Sequence, residues 1–101
     1  MTGNGPYLYL TTIGRRTGTP REIEIWFTQL HDRYYVIAEH GEQAHWVQNL
    51  MRNPRVRVRV GAEQFSAEAG IEADPETIRR VQSLSEAKYG WGDGLVVTLI
   101  P

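Results

Sequence analysis

Apolar and polar positions alternate most cleanly in residues 55–60, RVRVRV, where Val56, Val58 and Val60 share one face and Arg55, Arg57 and Arg59 the other. A period of two marks a strand with one buried face. Residues 22–30, EIEIWFTQL, begin the same way, with Ile23, Ile25 and Phe27 on one side and Glu22, Glu24 and Trp26 on the other, and predict one half-buried strand. Residues 7–13, YLYLTTI, are aromatic and β-branched and follow the breaker pair Gly5-Pro6, which reads as a strand entered from a turn. His31-Asp32-Arg33 is a short polar turn into YYVIA of residues 34–38, so this run and 22–30 are expected to form an antiparallel hairpin. Gly61-Ala62-Glu63 turns the chain back into a strand over 64–69, and LVVTLI of 95–100 makes a sixth.

Two segments change period. After the polar loop 39–44, Trp46, Val47, Leu50 and Met51 recur at helical spacing, and Asn53-Pro54 stops that helix because the residue before proline disfavours helical geometry. Asp74-Pro75-Glu76 opens a second helix with an N-cap acid and proline at the first position; Ile78, Val81 and Leu84 are its expected buried stripe, and YGWGDG of 89–94 ends it. Six short, mostly antiparallel strands with two helices predict an α+β fold, a small six-stranded antiparallel β-barrel. A chain of 101 residues has room for one core, so residues 1–101 are expected to form a single domain, and pairing with a second copy is a natural way to extend that core.

Eleven Lys and Arg against twelve Asp and Glu leave a net charge of −1, without the basic excess of a general nucleic-acid binder. Any basic feature is therefore local, and ten of the eleven cations are arginine, the side chain suited to forked bonding of carboxylates and phosphates. The absence of cysteine removes disulfides, thiolate metal sites and cysteine nucleophiles, and fits a reducing cytoplasm. No apolar run approaches membrane-spanning length.

Local charge is densest in residues 14–21, GRRTGTPR. This is not a P-loop or a dinucleotide fingerprint, since Pro20 and a strand pattern follow where a helix would open. Gly14 and Gly18 could expose backbone N–H groups, Arg15, Arg16 and Arg21 add charge, and the hydroxyls of Thr11, Thr12, Thr17 and Thr19 can donate, a set able to hold a phosphate. The same residues are ordinary at a solvated hairpin tip. The arginine stripe of RVRVRV has two readings as well: a strip for nucleic acid with Tyr34 and Tyr35 as stacking partners, or a solvated strand face neutralised by Glu63, Glu68 or Glu72. His31, His40 and His45 lack metal-ligand spacing, and no serine sits in a nucleophile setting. Trp26 on the polar face of its strand and Trp46 at the start of its helix are placed to line a pocket for a flat ligand, or to close a barrel end.

Together, LTTIGRRTGTPREIEIWF, YYVIA, WVQNLMRNPRVRVRVG and the closing LVVTLIP resemble the deazaflavin-dependent nitroreductase family of flavin-binding split β-barrels. The resemblance implies coenzyme F420, with FMN as the alternative in related split barrels, and hydride transfer to a small electrophile such as a quinone, nitro compound or enone. It implies that Thr12, Arg15, Arg16, Thr17, Gly18, Pro20 and Arg21 cradle the coenzyme phosphate and that Trp26, Ala38 and Trp46 lie near the ring. Glu39, His40 and Tyr89 are the candidate proton donors. Where the family commonly reads Ala-Ser-Lys-Gly-Gly, this chain has Ala38-Glu39-His40-Gly41-Glu42. The implied protein is a cytoplasmic homodimeric oxidoreductase; a non-catalytic carrier of a cofactor, haem or other ligand on the same fold is the rival expectation.

Overall fold

In the computed structural model, which describes residues 7–101, strand β1 spans Tyr7–Ile13, β2 Pro20–Trp26, β3 Thr28–Leu30, β4 Arg33–Ala38, β5 Arg55–Val60, β6 Glu63–Ile71 and β7 Leu95–Ile100. Helix α1 is His45–Arg52, α2 is Pro75–Tyr89, and Gly41–Gln43 forms a 3-10 turn. The expected Gly5-Pro6 turn lies outside the described residues. Every strand pairing is antiparallel, in one curled sheet of order β2-β1-β5-β6-β7-β4-β3.

The sheet has seven strands rather than the expected six, because the run 22–30 breaks at Phe27. Residues up to Trp26 pair with β1, Trp26 lying opposite Tyr7, whereas Thr28 onward pairs with β4, Thr28 lying opposite Tyr35. The two edge strands of the sheet are thus consecutive in the chain, and the chain itself curls the sheet into a half-barrel at Phe27. Alternation alone cannot reveal this, since the residues on either side keep strand geometry while changing partners.

A buried backbone that changes partners must find other hydrogen bonds for the residue in between. Phe27 is 2 % exposed. Its N–H donates to Tyr89 Oη at 3.1 Å, and its carbonyl accepts from Tyr89 Oη at 2.9 Å and from Lys88 Nζ at 3.0 Å. One phenol at the end of α2 therefore supplies both bonds that a neighbouring strand would have made.

The barrel core contains Leu8, Leu10, Val56, Val58, Val60, Val97 and Leu99, with Ile23 and Ile25 packed against it, as the alternation requires. A smaller core lies between α2 and the sheet: Tyr35, Ile37, Val81 and Val96, flanked by Ile78 and Trp91. Tyr34 and Tyr35 are both buried, so neither is available as a stacking platform for nucleic acid. The buried stripe of α2 also needs correction: Leu84 is 40 % exposed, and Ser85 takes the inward position, donating its hydroxyl to the Trp91 carbonyl at 2.6 Å. The 89–94 turn folds back against the helix so closely that a Cβ on Gly92 would stand 2.3 Å from the Gln82 carbonyl oxygen.

The arginine stripe faces outward as expected but finds different partners. Arg59 reaches across β1, lies over the Tyr9 ring at 4.1 Å and pairs with Glu22 at 3.2 Å, while Arg57 donates to Ser66 Oγ. Of the expected counter-charges, Glu68 stands opposite Arg55 in the register and Glu63 opposite Val60, whereas Glu72 accepts from Thr98 Oγ1 and the Asp74 amide. Among the described residues no helix is long and apolar enough to cross a membrane.

Replacing Tyr89 with Phe keeps the ring and removes both of its bonds to Phe27, leaving the carbonyl to Lys88 and the N–H without a partner. Stability is expected to fall by about 1–3 kcal/mol, the cost of stranding that buried N–H, read as a lower thermal midpoint. An unchanged midpoint would show that the strand break needs no brace. A second prediction concerns the start of α2, where Asp74 Oδ2 accepts from both Thr77 Oγ1 at 2.7 Å and the Thr77 amide at 2.9 Å. These bonds hold its carboxyl below the ordinary aspartate range. The stabilisation is therefore complete above that ordinary range and is lost as pH falls through the lowered value. A melting series in acid should show this loss in the wild type and its absence in Asp74→Asn.

Candidate functional site

A cavity of about 500 Å³ opens where the kinked β2–β3 edge meets the end of β4, the 3-10 turn, the start of α1 and the turn after α2. Ligand pockets commonly occupy roughly 300–1,000 Å³. Five of the candidates from the sequence stand on its wall: Trp26, Ala38, Glu39, His40 and Trp46. Trp26 is presented there by a parallel stack on Tyr89, with ring centroids 4.5 Å apart and planes 4° from parallel, and by a tilted contact with Trp91 at 6.5 Å. Tyr89 stands behind Trp26 rather than on the wall, with its hydroxyl engaged by Phe27. Ala38 is kept close to the turn after α2 by Gly94, whose absent Cβ would lie 2.6 Å from the Ala38 carbonyl oxygen.

The basic hairpin between β1 and β2 is built differently from the expected cradle. The Gly14 N–H donates to the Thr19 carbonyl and the Gly18 N–H to the Gly14 carbonyl, both at 2.8 Å, so the two amides expected to face a phosphate are spent inside the turn. Gly18 adopts φ 73°, a conformation that favours glycine. Thr17 and Thr19 bond to each other through their hydroxyls at 2.7 Å.

Arg15 is turned inward. Its amide and its Nη1 both donate to Asn49 Oδ1, at 3.1 and 2.9 Å, and its Nη2 lies 3.3 Å from His45 Nδ1. Asn49 Nδ2 in turn donates to Thr12 Oγ1 at 3.3 Å. Asn49 and Thr12 are 5 % and 1 % exposed, so this is a buried polar join between the hairpin and α1. Arg16, Thr17, Gly18, Pro20 and Arg21 remain exposed, and none of them is on the cavity wall. The side chains of Arg16 and Arg21 make no hydrogen bond or ion pair with another described residue. The hairpin and the cavity meet through α1, whose first two residues are His45 against Arg15 and Trp46 on the wall.

Asn49 was not among the sequence-based candidates. The signal available was a polar side chain within the apolar stripe of WVQNL, since a buried amide must be bonded. Glu24, also on the cavity wall, accepts from Tyr9 Oη at 3.1 Å; that bond and the carboxylate's charge hold the Tyr9 phenol above its ordinary range.

With this geometry in view, comparison with known proteins is decisive at one level. A family model described as F420H(2)-dependent quinone reductase matches residues 1–94. The chain belongs to the F420H(2)-dependent quinone reductase family. The family is thus one defined by reduced coenzyme F420, in agreement with the resemblance carried by the four quoted segments. An F420H(2)-dependent quinone reductase of Mycobacterium tuberculosis strain H37Rv is 32% identical over 91 residues, covering 85% of this chain and 61% of the relative, and that of strain CDC 1551 gives the same values. The chain thus spans less than two thirds of the length of these relatives. Among solved structures, an F420-H2 dependent reductase aligns with TM-score 0.75 at 19% identity over 95% of this chain and 94% of its own. The haem storage protein HutZ of Vibrio cholerae aligns with TM-score 0.78 at 23% identity, over 97% and 82%. At such identities these two establish the fold, a split barrel, and nothing finer.

The Arg15–Asn49–Thr12 join makes a separable prediction. Asn49→Ala strands the Arg15 amide and should cost about 2–4 kcal/mol in denaturant unfolding. Asn49→Asp keeps an acceptor for Arg15, and Thr12 can donate to it, so its loss should be the smaller of the two. Equal losses would mean that shape rather than hydrogen bonding matters at this position.

Proposed function

We propose that this chain binds coenzyme F420 and reduces a small quinone at the cavity beside α1. The observation that carries the reading is the pairing of a ring-walled cavity with an adjoining hairpin on which Arg16 and Arg21 are unengaged. The residues present suit such a group. Trp26 and Trp46 offer flat apolar surface, Ala38 leaves room beside them, and the two arginines are chemically matched to a phosphate. Arg16 and Arg21 are assigned to the phosphate, presented by the turn that Thr17, Gly18 and Pro20 shape, with Thr12 and Arg15 supporting it from beneath through Asn49.

When bound, the reduced coenzyme supplies a hydride. Conversion of a quinone to its hydroquinone also takes up a proton, for which Glu39 and His40 stand exposed on the cavity wall, while Tyr89 is assigned to positioning Trp26. Trp26, Trp46 and Trp91 offer apolar ring surface to a flat molecule placed among them. Nitro compounds and enones are planar electrophiles of similar demand and belong to the same proposal. So do a cytoplasmic setting, which the cysteine-free chain suits, and a homodimer: a neighbour of the same fold, at TM-score 0.75 and 20% identity, is described as a domain-swapped dimer.

The test is a titration of the ligand-free protein with oxidised coenzyme F420, and with FMN in parallel, followed by quenching of tryptophan emission. Saturable binding of the deazaflavin is expected. Replacing Arg16 and Arg21 together by Ala should weaken it by roughly 2 kcal/mol, an amount discounted for their exposure, without lowering the melting temperature. Unchanged affinity would remove the hairpin from the site.

A further inference from the structure

One side chain on the cavity wall is left without a chemical role by all of the above. Thr28, the first residue after the break at Phe27, is 5 % exposed, and its Oγ1 is buried with no hydrogen-bond partner among the described residues. It lines the same cavity as Trp26 and Ala38. A buried hydroxyl without a partner destabilises the fold that contains it, because the bonds it made to water are not replaced.

The neighbouring groups decide what such a hydroxyl is suited to bind. Ser85, which is also buried on the wall, has already committed its proton to the Trp91 carbonyl. Glu24 and Glu39, when ionised, are acceptors only. A planar ring edged with carbonyl oxygens finds apolar surface in this cavity, and beside the indole N–H groups of its tryptophans Thr28 offers a buried, uncommitted hydroxyl donor. Rotation about χ1, which exchanges Oγ1 with the methyl group, is an adjustment open to a strand threonine.

We propose that Thr28 is a specificity-determining residue of the cavity, its hydroxyl reserved for a carbonyl oxygen of a flat ring ligand. The inference rests on the ring-binding reading of this cavity. Two molecules of that reading carry the required chemistry, the deazaflavin and the quinone, and they can be told apart experimentally.

The experiment compares wild type, Thr28→Val and Thr28→Ser. Each ligand-free protein is melted, then titrated separately with oxidised coenzyme F420 and with menadione as the quinone probe. Valine has the shape of threonine without the unpaired hydroxyl, so Thr28→Val should melt higher than wild type, by about 4 °C or more. It should also bind one of the two ligands about tenfold more weakly, and that ligand is the one whose carbonyl meets Thr28. Thr28→Ser, which keeps the donor, should bind that ligand within about twofold of wild type.

A lower melting temperature for Thr28→Val would show that the hydroxyl has a partner in the free protein and overturn the proposal. Unchanged affinity for both ligands would also overturn it, leaving the functional reading intact on the strength of wild-type binding. Wild-type binding of menadione alone, weakened in Thr28→Val, would uphold Thr28 and overturn the coenzyme assignment. Wild-type binding of neither ligand would sink both.

Discussion

The strand break at Phe27 is the constraint on which the rest of the molecule depends. A curled sheet whose first and last strands are consecutive in the chain must let one residue belong to neither ladder, and that residue's peptide groups are buried. Tyr89 resolves the conflict by donating to one of those groups and accepting from the other. The same phenol ring carries Trp26 in a parallel stack, and Thr28 begins the strand on the far side of the break. Trp26, Phe27 and Thr28 all line the cavity. Fold closure and cavity shape therefore share Tyr89 as a brace, and a change at the end of α2 is felt at the site without touching it.

A second join explains why two distant stretches of this chain are needed together. LTTIGRR supplies Thr12 and Arg15, WVQNL supplies Asn49, and the amide of Asn49 satisfies the other two. In isolation each stretch carries an unsatisfied polar group into a buried place; combined, they form a closed network of the kind that fixes relative orientation. The arginines of the hairpin consequently divide into two kinds. Arg15 is part of the structure, while Arg16 and Arg21 point charge outward from a turn whose Gly14 and Gly18 amides are already spent.

What was legible in the sequence follows the same physics. RVRVRV could be read outright because one face of three valines against one of three arginines leaves a single placement, and Asp74-Pro75 could be read because a helix cap is settled within four residues. The basic hairpin and the wall positions of Trp26, Ala38 and Trp46 were also within reach, the hairpin from its turn residues, the two tryptophans from their strand face and helix start, and Ala38 through resemblance. The break at 27 was not, since β2 and β3 are separated by one residue that itself has strand-like character. Nor was Ser85 in place of Leu84, because hydropathy ranks leucine inward and takes no account of a carbonyl at Trp91 waiting for a donor. The pairing of Arg59 with Glu22 crosses an intervening strand, and no local rule reaches that far.

The distribution of charge supplies a directional argument. Net charge is −1, yet the positive side chains of Arg16 and Arg21 sit on the hairpin while Glu24 and Glu39 stand on the cavity wall. For a ligand that joins a neutral ring to an anionic tail, the two arrangements in the site are then unequal. With the ring in the cavity, the tail meets arginine; with the tail in the cavity, it meets the like-charged carboxylates of Glu24 and Glu39. Orientation is thus selected by repulsion at one end as much as by attraction at the other. With Glu39 on the wall and Arg16 and Arg21 on the hairpin, the wall contributes to that repulsion while the hairpin carries the attraction. Binding in such a site should weaken with salt mainly through the exposed arginines, since the cavity contacts are between rings and are insensitive to screening.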